Sequence, residues 1–233
     1  MPIQNYSELS SLKGELELKK HLSEVSQIKY WASVHLVFCK IKEDDYPYLA
    51  MIRRVKNEKD PWSGHYAFPG GGVEPGEGLK EASYRETYEE VGLEIPADSY
   101  LGEFYQIQVR MGGKSSPLAI SAHASFISEG DGGNEQLPDL TPCPIEVDDA
   151  FWFPLKGLLR EESIMEREFR LSHQNKTLPC INYEGHIIWG LSYMILREFL
   201  LQWENASGPI SQPLIQEHLP HYPYGLNSKK DKA

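Results

Sequence analysis

Leu9, Leu12, Leu16 and Leu22 recur among Glu, Lys and Ser at about the 3.6-residue period of one helix face, which predicts an amphipathic helix over 7–27 despite Gly14. Such a helix packs on the main domain or on a second copy of the chain, so a homodimer is one arrangement it allows. From Trp31 the pattern shortens. WASVHLVFC and YLAMIRRV are β-branched and aromatic runs separated by the charged turn KEDDYP, the signature of two paired strands. A Gly- and Pro-rich loop spans Gly64 to Gly76, and a helical run from Leu79 to Val91 is closed by Gly92, a suitable helix stop. Two further strands, YLGEFYQIQV and LAISAHASFI, flank a turn at Gly112 and Gly113. After a polar loop over 129–144, FWFPL reads as a short strand and IIWGLSYMILREFLLQWE as a long buried helix. Strands on both sides of a helix, with another helix at the end, predict a mixed sheet covered by helices. The expected division is a helical extension over 1–30, a main domain over 31–204, and a Pro- and Lys-rich tail over 205–233.

Composition narrows the partners. The 233 residues are 40% hydrophobic and 24% charged, ordinary for a folded domain. Lys and Arg number 23 against 34 Asp and Glu, a net charge of −11, which is the wrong sign for a protein held on nucleic acid by phosphate neutralisation. A small polyanion remains compatible, because a bound cation reverses the sign within one cleft. Cys39, Cys143 and Cys180 have no C-x-x-C spacing, so neither a disulfide framework nor a cysteine zinc site is expected. The first twenty residues lack the apolar run of a signal peptide, and Arg197 and Glu198 interrupt the apolar stretch from Ile187 to Leu201. The expectation is a cytoplasmic protein with no membrane span.

The chemistry concentrates between Gly71 and Leu93, GGVEPGEGLKEASYRETYEEVGL. At about 100° per residue, Glu86 and Glu90 fall roughly 40° apart on the predicted helix with Glu89 between neighbouring turns, so the three carboxylates are expected on one face. Like charges so spaced repel, and a divalent cation offsets that repulsion. Carboxylate oxygens are the donors that Mg²⁺ or Mn²⁺ prefers. Arg85, four residues before Glu89, is placed to hold that carboxylate. Gly70, Gly71, Gly72 and Gly76 let the preceding backbone turn sharply and offer its own groups to a metal or phosphate, with the Gly70 carbonyl as a candidate ligand. Glu77 stands at the helix entry, where unpaired amides favour a carboxylate. A chance occurrence of Gly71, Glu77, Arg85, Glu86, Glu89, Glu90 and Gly92 at this spacing is on the order of one in a million for ordinary residue frequencies.

At these residues the sequence resembles the Nudix hydrolases, whose signature is this box; every fixed position matches, and Thr87 stands where an aliphatic residue is more usual. The resemblance implies an α/β (α+β) fold, an α/β/α sandwich with a mixed sheet and a loop-helix-loop metal site, and hydrolysis of a nucleoside diphosphate linked to another group. Carried over, the Gly70 carbonyl, Glu86, Glu89 and Glu90 would bind Mg²⁺ or Mn²⁺, with Arg85 and Glu77 in support. Such a reaction needs neutralised phosphate oxygens, an activated water and a carboxylate to take its proton. Glu86 and Glu146, the latter in PIEVDDAFWFPL, are the candidate bases.

Gly64-His65-Tyr66-Ala67-Phe68-Pro69-Gly70-Gly71 and Ile188-Trp189-Gly190-Leu191-Ser192 are similar to two stretches of the coenzyme A diphosphatase branch. That branch has an arginine where Asp60 stands and Leu-Leu-Thr where Ala50-Met51-Ile52 stands. Trp62 and Tyr66 are candidates to stack on a base, an interaction of about 1 to 3 kcal/mol, whereas Phe68 reads as core. Arg53, Arg54 and Arg110 are candidate phosphate contacts. Two competing functions are a nucleotide sensor without hydrolysis and a hydrolase of modified nucleoside triphosphates. A sensor would be expected to lose the metal ligands, and Glu86, Glu89 and Glu90 are all present. An RNA-end diphosphatase would need a basic channel, against which the net charge counts.

Overall fold

A computed structural model describes residues 9, 12–44, 46–58, 60–111, 114–127, 134–159, 161–171, 174–207 and 220. The strands are β1 (Lys19–His21), β2 (Tyr30–Cys39), β3 (Tyr48–Arg54), β4 (Tyr66–Ala67), β5 (Gly70–Gly72), β6 (Tyr100–Met111), β7 (Lys114–Ile127), β8 (Val147–Pro154), β9 (Ile164–Leu171), β10 (Gln174–Tyr183) and β11 (His186–Trp189). The two long helices are α1 (Leu79–Val91) and α2 (Gly190–Ser207). The main sheet runs β1-β6-β7-β2-β3-β4, with β5 paired to β2 and β8 to β3; β11-β10-β9 form a smaller antiparallel sheet. Pairings β1–β6 and β2–β7 are parallel and the other main-sheet pairings antiparallel, so the sheet is mixed.

Alternation along β2 decides what covers each face. Leu36 and Phe38 point into the larger cluster with Phe104, Tyr193 and Phe199, where Phe38 and Phe199 stack at 4.6 Å. Val37 points the other way, into the cluster holding Val91, Leu93, Ala50, Ile52 and Val147. Helix α2 therefore covers one face, held there by the apolar surface it buries, and α1 covers the other. Among the described residues no helix is long and apolar enough to cross a membrane.

Four sequence expectations are corrected or refined. The helix over 7–27 does not extend past the turn at Leu12–Glu15: Gly14 has φ +86, and the chain runs on into β1, paired parallel to Tyr105–Ile107, and a 3-10 turn at Val25–Gln27. The leucine spacing holds only for Leu9 and Leu12, both 0% exposed in the domain core, with Leu16 packed against that core as well. This segment is thus tied into the domain, and the Glu17 N–H (3.0 Å, to Gln202) and the Lys19–Glu198 ion pair (2.8 Å) fasten it to α2. Second, the expected pairing of β2 with β3 is present, antiparallel at Phe38↔Leu49 and Cys39↔Tyr48, but it is short, and β7 is the strand that pairs with β2 along its whole length. Third, the apolar run at 187–204 begins as strand: Ile187 and Ile188 pair with Asn182 and Ile181, and α2 starts only at Gly190, whose φ of +64 turns the chain from strand to helix. Fourth, the Gly- and Pro-rich loop contains β4 and β5. Helix α2 extends into the expected tail as far as Ser207, and of the rest only Pro220 is described, its carbonyl accepting the Tyr193 hydroxyl at 2.8 Å.

Candidate metal centre

Helix α1 has no side-chain cap at Gly78 and ends at Gly92, whose φ of +68 brings its N–H to the Tyr88 carbonyl at 2.8 Å. Its buried positions, Ala82, Ser83, Glu86, Thr87, Glu90 and Val91, recur at the helical period and form one face. That face carries Glu86 and Glu90 into the protein, Glu86 8% and Glu90 1% exposed. One Glu90 oxygen, Oε2, accepts the Gly70 N–H at 2.8 Å. The other, Oε1, is buried with no hydrogen-bond partner, and the nearest ion-pair contact is Arg54 Nη1 at 3.9 Å. Burial pushes the Glu90 carboxyl up to about 8, against the opposing pull of the Gly70 N–H and Arg54. Glu86 is raised too, again chiefly by burial.

The glycine run shapes the cradle. Gly70 has φ +154, and a Cβ there would meet the Ser33 carbonyl and lie 2.6 Å from Val34 Cα, so the backbone itself leaves no room. At Gly71 a Cβ would lie 2.5 Å from the Glu86 carboxylate carbon; the missing side chain is what lets Glu86 reach the loop. Pairing of β5 with β2, with His35 N–H on the Pro69 carbonyl and Val73 N–H on the Trp31 carbonyl, leaves Gly70 at a position not bonded across the ladder. Its N–H and carbonyl turn away from β2, and the N–H finds Glu90.

The third member comes from a distant segment. Glu146 is exposed on the turn before β8, where its carbonyl accepts the Val55 N–H at 3.0 Å and anchors the turn to the end of β3. One oxygen each of Glu86, Glu90 and Glu146 lie within 4.8 Å of one another. Glu89 does not join them. Its side chain is 56% exposed and bonded to Arg85 Nη1 at 2.9 Å, because a residue one position before Glu90 falls about 100° around the helix. The expectation of three carboxylates on one face therefore holds for Glu86 and Glu90 only.

Arg85 ties the loop to the helix. Its Nε and Nη2 bond both oxygens of Glu77 at 2.8 and 2.9 Å, Nη1 bonds Glu86 at 2.8 Å as well as Glu89, and Nη2 also reaches the Gly72 carbonyl at 2.9 Å. Arg85 accordingly holds the Glu77 carboxyl below its ordinary range.

The expected substrate residues are dispersed. Arg53 pairs with Asp148 at 2.8 Å and lies over the Tyr66 ring at 6.0 Å. Tyr66 packs on Phe151 and His186, and Trp62 against the larger apolar cluster. All three belong to the α2 side of the sheet, and strand alternation sends the next residue, Arg54, to the α1 side with Glu90. Arg110 sits near the far end of β6, two strands from β2 in the sheet order. Phe68 is 2% exposed, in the core. A residue without an assigned role, Asp60, clamps Arg54 through Nε and Nη2 at 3.0 and 2.9 Å; a salt bridge across six residues leaves no periodic trace in the sequence.

A hard cation suits this donor set: three carboxylates converge, and one oxygen of Glu90 is buried and unpartnered. The NUDIX domain matches residues 29–173. The NAD-capped RNA hydrolase NudC of Chromobacterium violaceum is 39% identical over 95 residues, 41% of this chain and 30% of that one. An uncharacterized protein of Schizosaccharomyces pombe is 30% identical over 176 residues, 73% of this chain and 51% of its own length. The mitochondrial coenzyme A diphosphatase NUDT8 of Homo sapiens is 28% identical over 173 residues, 73% of this chain and 68% of that one. The chain thus spans about a third of the first of these relatives and about half of the second.

Proposed function

The chain belongs to the Nudix family, and from that premise we propose that it is a hydrolase, dependent on Mg²⁺ or Mn²⁺, that cleaves the diphosphate bond of a nucleoside diphosphate linked to another group. The observation that carries this reading is the convergence of Glu86, Glu90 and Glu146, with a Glu90 oxygen buried and unpartnered. Glu86, Glu90, Glu146 and the Gly70 carbonyl would hold the cation, which when bound neutralises phosphate oxygens and makes a coordinated water more acidic. Arg85 keeps the Glu86 carboxylate turned inward, and Glu89, spent on Arg85, lends its charge to that clamp. Exposed Glu146, through the carboxylate oxygen that does not hold the cation, would accept the proton of the attacking water. As the water oxygen bonds to phosphorus, the anhydride P–O bond breaks and its electrons leave with the second phosphate. All the ligands come from one chain, and three free cysteines, two of them buried, support a reducing, cytoplasmic setting.

The relatives' names order the substrates to test: coenzyme A from the diphosphatase and NADH from the NAD-capped RNA hydrolase. The two stretches similar to the coenzyme A branch touch, since Ser192 donates to the Tyr66 carbonyl at 2.9 Å and Trp189 packs on His65 at 4.7 Å. With Mn²⁺ or Mg²⁺ present, a panel of coenzyme A, NADH, ADP-ribose, diadenosine polyphosphates, UDP-sugars and oxidised dGTP is expected to yield two phosphate-containing products from at least one member. Cation binding with no turnover of any of them would favour the sensor instead.

Gly71→Ala separates centre from fold. The new methyl displaces only the end of the Glu86 side chain, so Mn²⁺ affinity is expected to drop about tenfold or more while the melting temperature stays near that of the parent. Gly70→Ala, clashing with backbone, is expected to destabilise the protein outright; equal melting temperatures for the two variants would contradict the geometry.

A further inference from the structure

Helix α1 rests on an unusual floor. Of its six buried residues only Ala82 and Val91 are apolar. Beneath it β2 presents Ser33 and His35 and β7 presents Ser121, His123 and Ser125, each at most 1% exposed. The parallel register sets Ser33 beside Ser121 and His35 beside His123, so polar side chains line the α1 face while Ile120, Ala122, Ala124 and Phe126 serve the other. Apolar contacts are non-directional and tolerate sliding. Hydrogen bonds are directional and weaken as donor and acceptor move apart or out of line, so on this floor they fix where the helix stops.

The central one is two-sided. The Ser83 hydroxyl lies 2.7 Å from the Lys80 carbonyl and 3.2 Å from His35 Nδ1, and His35 Nε2 lies 2.9 Å from the Ser125 hydroxyl. Ser83 has one hydroxyl hydrogen, which the shorter contact gives to Lys80. Its lone pair then accepts from Nδ1–H, and Nε2 accepts from Ser125. The ring is held in one tautomer between helix and sheet, with the Tyr84 ring beside it at 5.1 Å. Ser83 precedes Glu86 by one turn and Glu90 by two, and at about 1.5 Å rise per residue a slip at Ser83 carries both carboxylates with it.

We infer that His35, pinned between Ser125 and Ser83, is a positioning residue that sets the register of α1 on the sheet and so holds Glu86 and Glu90 where they bind a divalent cation together. The inference rests on reading the carboxylate trio as a metal centre. Its test is Mn²⁺ titration of the full chain by calorimetry, with metal-free melting curves alongside. His35→Leu is expected to weaken Mn²⁺ binding about tenfold or more, and His35→Gln, whose amide both donates and accepts, to restore most of it. Ser83→Ala is expected to weaken binding as well, and to add little in the His35→Leu background because both break the same link. If His35→Leu does not fold, Ser83→Ala decides alone. Parental Mn²⁺ affinity in a folded His35→Leu or in Ser83→Ala, or fully additive losses, overturns the inference while leaving the metal centre standing. A parent chain that binds no Mn²⁺ overturns the metal centre first, and this inference with it.

Discussion

Glu90→Gln is expected to lower turnover at least about a thousandfold, a loss of about 4 kcal/mol of transition-state stabilisation, while the metal-free protein melts a few degrees higher. The two effects have one cause. Glu90 Oε1 is buried without a hydrogen bond and faces Arg54 only at 3.9 Å, so in the absence of a cation its charged form is poorly compensated and folding must take up a proton to neutralise it. Gln is nearly isosteric, its amide oxygen still accepts the Gly70 N–H, and it carries no charge to desolvate. About 1 kcal/mol of relief would raise the melting point of a chain this size by roughly 2–4 °C. Steady-state assays paired with thermal melts in chelator check the pair. Turnover within tenfold of the parent defeats the catalytic reading, and a lower melting point defeats the account of the unpartnered oxygen.

Acid is expected to loosen the protein from beneath α1. Burial lowers His35 to about 3, with His123 and Lys80 adding to the effect, and lowers His123 to about 4 against the pull of Glu103 and Glu81. In the unfolded chain both take a proton near their ordinary 6.5, whereas in the folded chain they stay neutral until about 3 to 4. The unfolded state therefore binds more protons across that window, and stability falls as pH drops through it. At pH 5 the deficit is about 2 kcal/mol for each histidine. Glu90 works in the opposite sense, its folded carboxyl near 8 gaining stability as pH falls. The readout is thus the difference in unfolding free energy between the parent and His35→Gln/His123→Gln. It should shift by several kcal/mol between pH 7 and pH 5 in the variant's favour; a difference independent of pH would mean the rings are not held neutral.

Much of the helix and its loop was legible because their information is local. Spacing alone marks Glu86 and Glu90 as neighbours, sets Gly92 as the helix stop and places Arg85 within reach of Glu89. Glu146 was legible only as a candidate, since it converges through the β3–β8 pairing rather than through spacing. The Asp60 clamp and the division of Arg53 and Arg54 between opposite faces depend on which side of β3 each helix covers. The polar floor left a trace in the alternations Ser33-Val34-His35 and Ser121-Ala122-His123-Ala124-Ser125. That pattern ordinarily marks a strand with one wet face; here the polar side is dry because α1 lies on it. The apolar stretch from Ile187 reads as helix throughout because short buried strands and buried helices share a hydrophobic profile, and only Gly190 separates them.

The span that matches the family, 29–173, stops short of both β1 and α2. Trimmed to that span, the chain would leave the outer backbone of β6 unpaired and the side of the sheet holding Phe38 and Phe104 bare to water. Unpaired strand rims and open greasy surfaces recruit other molecules. The recognisable unit of ancestry is here smaller than the packed unit, and the residues at its margins cover the strand edge and the apolar face that it would leave open.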